Sequence, residues 1–295
     1  MRIGSFLGVA LIVNPFFVLL LLLTALFGRI VPMLLVFSLV LWHETAHTLT
    51  AVYYGLRVSE IELLPFGGVA RIDDLLQLEP SIEAVVAAAG PASNLILLGV
   101  IWLVNRYYSV DPEWFSFLIQ ANAGMAMINL LPALPLDGGR ILRSKLMKKF
   151  GFRTATKKAA SIGQIIAVLL ICLGLVGFVL FDYFKALIFV ILGFFVYISA
   201  QKEKNNAVYV FMRYLTLKKR EVRLKRVMLT KELIATSETS VGEVLRHFSP
   251  SYYHLVWILD PEGELIGVIT EFELINGLLE NGIHDKLNRL VKHRI

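Results

Sequence analysis

His43-Glu44-Thr45-Ala46-His47 lies inside a run of residues apolar enough to cross a membrane. In an α-helix, residues four apart share a face and stand about 6 Å apart along the axis, so His43 and His47 can hold one ion together. Glu44, beside the first histidine, reaches the space next to that ion. This is the H-E-x-x-H pattern: two zinc ligands and a general base for metal-assisted hydrolysis. Its chance occurrence in a chain of this length and composition is on the order of 1%. Three ionisable groups at membrane depth are costly unless a cation and a polar cavity compensate them.

Zinc in a hydrolase takes three protein ligands and keeps one position open. Asp137 stands out as the third. It follows Pro132 and Pro135 and precedes Gly138-Gly139, and a helix broken in this way can turn its side chain inward. It reads equally well as the cap of a helix beginning near Arg140. Gly90-Pro91-Ala92-Ser93-Asn94 reads as a proline kink with small residues for close helix packing, or as a carrier of Asn94 as a hydrogen-bond donor in the site. Asn129, one turn before the Pro132 break, offers a similar donor or a polar contact between spans. The one cysteine, Cys172, excludes both an internal disulfide and a cysteine-based zinc site.

The elements that position these residues follow from the apolar blocks. The chain has 295 residues, 57% of them hydrophobic, and a mean hydropathy of +0.68, too apolar for an ordinary soluble domain. The expectation is an α-helical polytopic membrane protein with six transmembrane helices: Phe6–Phe27, Met33–Tyr54, Ile82–Val104, Trp114–Leu131, Ser161–Leu180 and Phe184–Ala200. Each is roughly 17 to 23 residues, the length that crosses the hydrocarbon. The first is interrupted by Asn14-Pro15, and no clear cleavage site for a signal peptide follows it. The loop from Arg140 to Lys158 holds eight Lys or Arg and no acid, which sets it, and with it both termini, on the cytoplasmic side. The net charge of +6 is read as loop charge of this kind and not as a nucleic-acid footprint.

Between the second and third spans, Ile61–Ile72 is too short and too rich in Gly and Pro for a span. It reads as a short membrane-associated β-hairpin around a Gly67-Gly68 turn, whose edge accepts an extended substrate as an added strand, or as a plain connecting loop. The expected domains are residues 1–200 in the membrane, a basic linker at 201–225 that touches anionic lipid headgroups, and a small cytoplasmic α/β domain at 226–295. In that domain Val241, Val244, Leu245 and Phe248 share a helix face. His254–Leu259 and Glu264–Ile269 form a hairpin, and Thr270-x-x-Glu273 is a capping box that opens the last helix.

Together, His43-Glu44-Thr45-Ala46-His47, Gly90-Pro91-x-x-Asn94 and Asn129-x-x-Pro132-x-x-Pro135-Leu136-Asp137-Gly138 resemble the site-2 protease family of intramembrane zinc metalloproteases. The resemblance implies one Zn2+ per chain on His43, His47 and Asp137, with Glu44 activating water. It also implies substrate handling by Asn129; Asn94 and the Gly67-Gly68 hairpin, from the reading above, are the further substrate-binding candidates. Ala46 departs from the glycine common in the family, a small-for-small change that leaves the ligands alone. Leu64-Pro65-Phe66-Gly67-Gly68, Leu136-Asp137-Gly138-Gly139-Arg140 and a single C-terminal CBS-type module look most like the family's sporulation branch in endospore-forming bacilli. That likeness implies a membrane-associated, pro-sigma-K-like substrate, inhibitory membrane proteins as partners, and a place in the mother-cell membrane around the forespore. It further implies ATP sensing at Thr270 and Glu273, where Glu273 stands in place of the Asp of nucleotide-binding modules. Because CBS modules work in pairs, it implies a homo-oligomer formed through this domain. The rival expectation is a CBS-regulated transporter or channel whose intramembrane charges form an ion pathway.

Overall fold

The computed structural model describes all residues except 1, 7–8, 57, 65–66, 73–79, 109–110, 182, 226–228, 246, 249–251, 282–284 and 292–295. It divides into two compact units, Met1–Lys145 with Lys158–Glu203, and Leu146–Lys157 with Lys204–Ile295.

The first unit opens with strands β1 (Arg2–Phe6) and β2 (Val9–Val13), then helices α1 (Pro15–Leu26) and α2 (Ile30–Tyr53). Strands β3 (Val58–Leu64) and β4 (Gly67–Ile72) follow, then helices α3 (Pro80–Tyr108), α4 (Pro112–Leu130), α5 (Asp137–Phe181) and α6 (Leu187–Lys225), the last two running on into the second unit. Among the described residues four helices are long and apolar enough to cross a membrane: Ile30–Tyr53, Pro80–Tyr108, Asp137–Phe181 and Phe184–Ala207. The other two expected spans differ for identifiable reasons. Asn14-Pro15 splits the first: β2 ends before it, and α1 has only 12 residues, about 18 Å of helix against a hydrocarbon core of about 30 Å. Asn14 accepts a hydrogen bond from Phe16 N at 3.0 Å and donates one to Glu62 Oε1 at 3.0 Å, so it both caps α1 and ties it to β3. The fourth expected span is helical as α4, but Ser116, Gln120, Asn122 and Asn129 dilute its apolar surface. The expected loop from Arg140 to Lys158 is helix as well, broken only at Gly151, where φ is 70° and ψ 166°.

The hairpin belongs to a four-stranded sheet in the order β1-β2-β3-β4. β2 runs parallel to β3, with α1 and α2 supplying the crossover that a parallel pair needs. Gly67 and Gly68 do not form the turn. They pair with Leu64 and Leu63 and so open β4, while Pro65 and Phe66 lie outside the described residues.

The second unit contains β5 (Thr230–Thr236), α7 (Val241–Leu245), β6 (Tyr253–Leu259), β7 (Leu265–Thr270) and α8 (Glu271–Asn281). β5 is parallel and β7 antiparallel to the central β6. β5 escapes the sequence reading because Lys231 and Glu232 interrupt its pattern. The core is Val241, Val244, Leu245, Val256, Ile258, Ile269, Leu274 and Leu287. Residues 201–225, expected as linker, continue α6 as helix.

Candidate metal centre

α2 turns both histidines inward, His43 4% and His47 7% exposed. The helix absorbs three of its four hydroxyls: Ser38 Oγ donates to Leu34 O at 2.8 Å, Thr45 Oγ1 to Leu41 O at 2.6 Å and Thr50 Oγ1 to Ala46 O at 2.8 Å, while buried Thr48 Oγ1 finds no partner among the described residues. Such back-bonds satisfy polar groups that hydrocarbon would leave unpaired. α2 stops at Gly55, whose φ of 76° permits the left-handed turn. Leu56 N donates to Ala51 O at 3.0 Å and Gly55 N to Val52 O at 2.9 Å, the paired bonds of a Schellman ending.

Asp137 arrives from the far side of a break. α4 ends at Leu130, Ala133 and Leu134 are buried in the turn, and α5 begins at Asp137 itself. The turn closes tightly because Gly138 and Gly139 lack side chains. A Cβ on Gly138 would lie 2.5 Å from Leu131 O, and one on Gly139 2.6 Å from Ala133 O. Of the two readings of Asp137, the carboxylate sits on the histidines: Oδ2 is 3.1 Å from His43 Nε2 and 3.2 Å from His47 Nε2. The two Nε2 atoms are 3.0 Å apart.

These three donor atoms form a nearly equilateral triangle. Tetrahedral zinc with bonds of about 2.0–2.1 Å spaces its ligand atoms about 3.3 Å apart, so the donor set and its spacing fit that ion. The far sides of both rings are also held. His47 Nδ1 donates to Val86 O at 2.7 Å, and His43 Nδ1 faces Asn94 Oδ1 at 3.3 Å. With Nδ1 carrying the proton, each Nε2 lone pair is free to face the common point.

Two glycines line the centre. A Cβ on Gly90 would lie 2.6 Å from His43 Nε2 and collide with His47 Nε2; one on Gly68 would lie 2.5 Å from Glu44 Cγ. α3 therefore presses bare backbone against the imidazoles, and β4 passes bare backbone over Glu44. The sequence marks Gly90 as a kink residue, but its neighbours emerge only from packing. Asn94 is fully buried on α3, and its backbone carbonyl accepts from Asn122 Nδ2 of α4 at 2.8 Å. Its own Nδ2 has no partner among the described residues. Sequence reasoning misses Asn122, which resembles any polar residue of α4, and Val86, which acts through its backbone. Asn129 is half-buried in the last turn of α4 and Gly67 opens β4. Thr270 and Glu273 lie in the second unit and bind each other. Thr270 N and Oγ1 donate to Glu273 Oε2 at 3.0 and 2.7 Å, and Glu273 N donates to Thr270 Oγ1 at 3.2 Å. This is a complete capping box.

The family model of Peptidase family M50 matches residues 32–111 and 107–173, and that of the CBS domain matches residues 224–280. The chain is 30% identical over 239 residues to Zinc metalloprotease MJ0392 of Methanocaldococcus jannaschii, covering 80% of this chain and 66% of that one, just under two thirds of the relative's length. It is 25% identical over 264 residues to Stage IV sporulation protein FB of Bacillus subtilis, covering 90% and 89%. Among solved structures, the Site-2 Protease from Methanocaldococcus jannaschii superposes with a TM-score of 0.54 at 30% identity, covering 69% of this chain and 94% of that one.

Proposed function

Because this chain belongs to the M50, or site-2 protease, family of zinc metalloproteases, we propose that it hydrolyses a peptide bond of a membrane-associated protein at the centre formed by His43, His47 and Asp137. The observation that carries this reading is the triangle of buried donors with Glu44 in the turn between the two histidines and β4 backbone against it. A zinc ion held there would polarise the scissile carbonyl and make water a stronger acid. Glu44 takes the proton from the attacking water and delivers it to the leaving amine. Asn94 and the Val86 carbonyl hold the imidazoles in the tautomer that leaves Nε2 free. The substrate is extended where it is cut, since a helix hides its carbonyls. The hairpin, with β4 at an edge of the sheet and Gly67 and Gly68 near Glu44, suits its addition as a strand. Asn129, beside the break that delivers Asp137, contacts the substrate chain.

A transport pathway would need its charges spread along a path. Here they converge, with the donor atoms of His43, His47 and Asp137 all within 4.8 Å of one another.

The likeness to Stage IV sporulation protein FB supports the finer reading. In it, the substrate is a sporulation pro-sigma factor of the pro-sigma-K kind, inhibitory membrane proteins restrain the enzyme, and it acts in the mother-cell membrane around the forespore. Both termini are cytoplasmic in that reading. The CBS-type domain senses ATP through Thr270 and Glu273 and joins two chains. The test is cleavage of a membrane-tethered prosequence by detergent-purified protein. Glu44→Gln is expected to slow cleavage about 10²- to 10⁴-fold, the usual contribution of a general base, while still binding about one zinc per chain. Undiminished cleavage by Glu44→Gln overturns the assignment.

A further inference from the structure

Arg143 stands on α5 six residues after Asp137, about 9 Å further along the axis, and is 2% exposed. Its guanidinium holds Glu83 on the first turn of α3 side-on: Nε donates to Glu83 Oε2 at 3.4 Å and Nη2 to Glu83 Oε1. Glu83 is 1% exposed. Nη1 donates to Glu203 Oε2 of α6 at 3.2 Å. The next residue, Ser144, donates its hydroxyl to the carbonyl of Pro80, the first residue of α3. Two consecutive residues of α5 thus grip one turn of α3. That same helix then supplies the Val86 carbonyl to His47, the bare backbone of Gly90 to both rings, and Asn94 to His43. α5 supplies Asp137.

The spacing of the metal triangle therefore depends on how α3 and α5 are registered, and this clamp is an ionic tie between them close to the site. Packing alone does not call for it, because two well-packed apolar residues hold helices together at least as firmly as a buried ion pair. A planar guanidinium forked onto a carboxylate adds fixed geometry. We propose that Arg143, clamped to Glu83, is a positioning residue that sets Asp137 against His43 and His47 and so tunes the affinity of the metal centre without touching it. This rests on the metal-centre reading above.

The test is zinc affinity of the full chain in detergent, measured by competition with a chromophoric chelator, together with the visible spectrum of the cobalt-substituted protein. Glu83→Leu/Arg143→Met removes both charges and leaves no buried polar group unpaired between the two helices. It is expected to bind zinc about tenfold more weakly or worse, with a shifted cobalt spectrum and an unchanged Tm in the metal-free state. Glu203→Gln, whose carboxylate is partly exposed and so screened, is expected to stay within twofold of wild type. Should the double variant fail to fold, Arg143→Lys keeps the charge, loses the fork, and is expected to show the same loss in smaller degree. Affinity within twofold of wild type with an unaltered cobalt spectrum overturns the proposal, whether or not Tm falls. Failure of the wild type itself to bind about one zinc would instead remove the metal-centre reading on which it stands.

Discussion

A methyl group on Gly90 would fall 2.6 Å from His43 Nε2, well inside van der Waals contact, and the clash meets the two imidazoles that make one edge of the metal triangle. In a helix interior alanine is favoured over glycine by about 1 kcal/mol. Forcing a methyl against two buried rings costs about 1–3 kcal/mol and outweighs that preference, so Gly90→Ala is expected to lower the Tm of the metal-free fold modestly and to abolish stoichiometric zinc binding, checked by metal analysis alongside melting of the chelated protein. Asn94 acts on the same ring from behind. Its Oδ1 faces His43 Nδ1, and partners of this kind are typically worth 10- to 100-fold in metal affinity. Asn94→Ala is expected to weaken zinc binding by about that factor, and chelator competition measures it. These two substitutions separate steric exclusion at the donor atoms from orientation of the ligand.

At the level of elements, β4 and α2 meet where Gly68 lies against Glu44, so the strand proposed to receive substrate is also the one beside the general base. A Cβ at Gly68 would displace a flexible carboxylate and no ring. Gly68→Ala is expected to lower the cleavage rate at least tenfold, a part of the roughly 10²- to 10⁴-fold that general acid–base catalysis contributes, with zinc content unchanged. Parallel measurements of turnover and metal content distinguish this outcome from that of Gly90→Ala. The contrast also marks where sequence reading stops. His43, Glu44, His47 and Asp137 are legible because ionisable residues are scarce in apolar surroundings, so each demands a reason. α2, α3 and the apolar stretches of α5 and α6 are legible from hydropathy, whereas the charged stretches of those last two helices, residues 140–158 and 201–225, read as loop and linker. The strands β1 and β2 are not, because two five-residue strands within an apolar run look like a membrane span, and Asn14-Pro15 is their single local signal. Val86 is invisible because a backbone carbonyl leaves no mark in the sequence. Arg143 is misread as loop charge because its burial depends on Glu83, sixty residues away in the chain.

Across the whole molecule, the three ligands and both ring-orienting partners lie in the first unit, while the second is built on its own core around β6 and β7. Without a cation, two imidazoles and a carboxylate would crowd within 3.2 Å of each other in a buried site, and unpaired or competing buried polar groups are destabilising. Zinc binding offsets this only for the folded first unit. Free metal at a thousand times its dissociation constant adds about 4 kcal/mol by mass action. Chelation is therefore expected to lower protection against amide hydrogen exchange in α2, around His43 and His47, and at the start of α5. Amides of β6, whose Val256 and Ile258 are fully buried, should exchange as before. The Thr270–Glu273 capping box gives the reverse control. Glu273→Ala removes the acceptor for Thr270 N and Oγ1, at a cost of about 1 kcal/mol typical of a lost cap. It should loosen the first turn of α8 while leaving zinc affinity unchanged. Equal loss of protection in α2 and β6 on chelation would mean that the two units unfold as one cooperative body, so that the metal stabilises the whole chain and not the membrane unit alone.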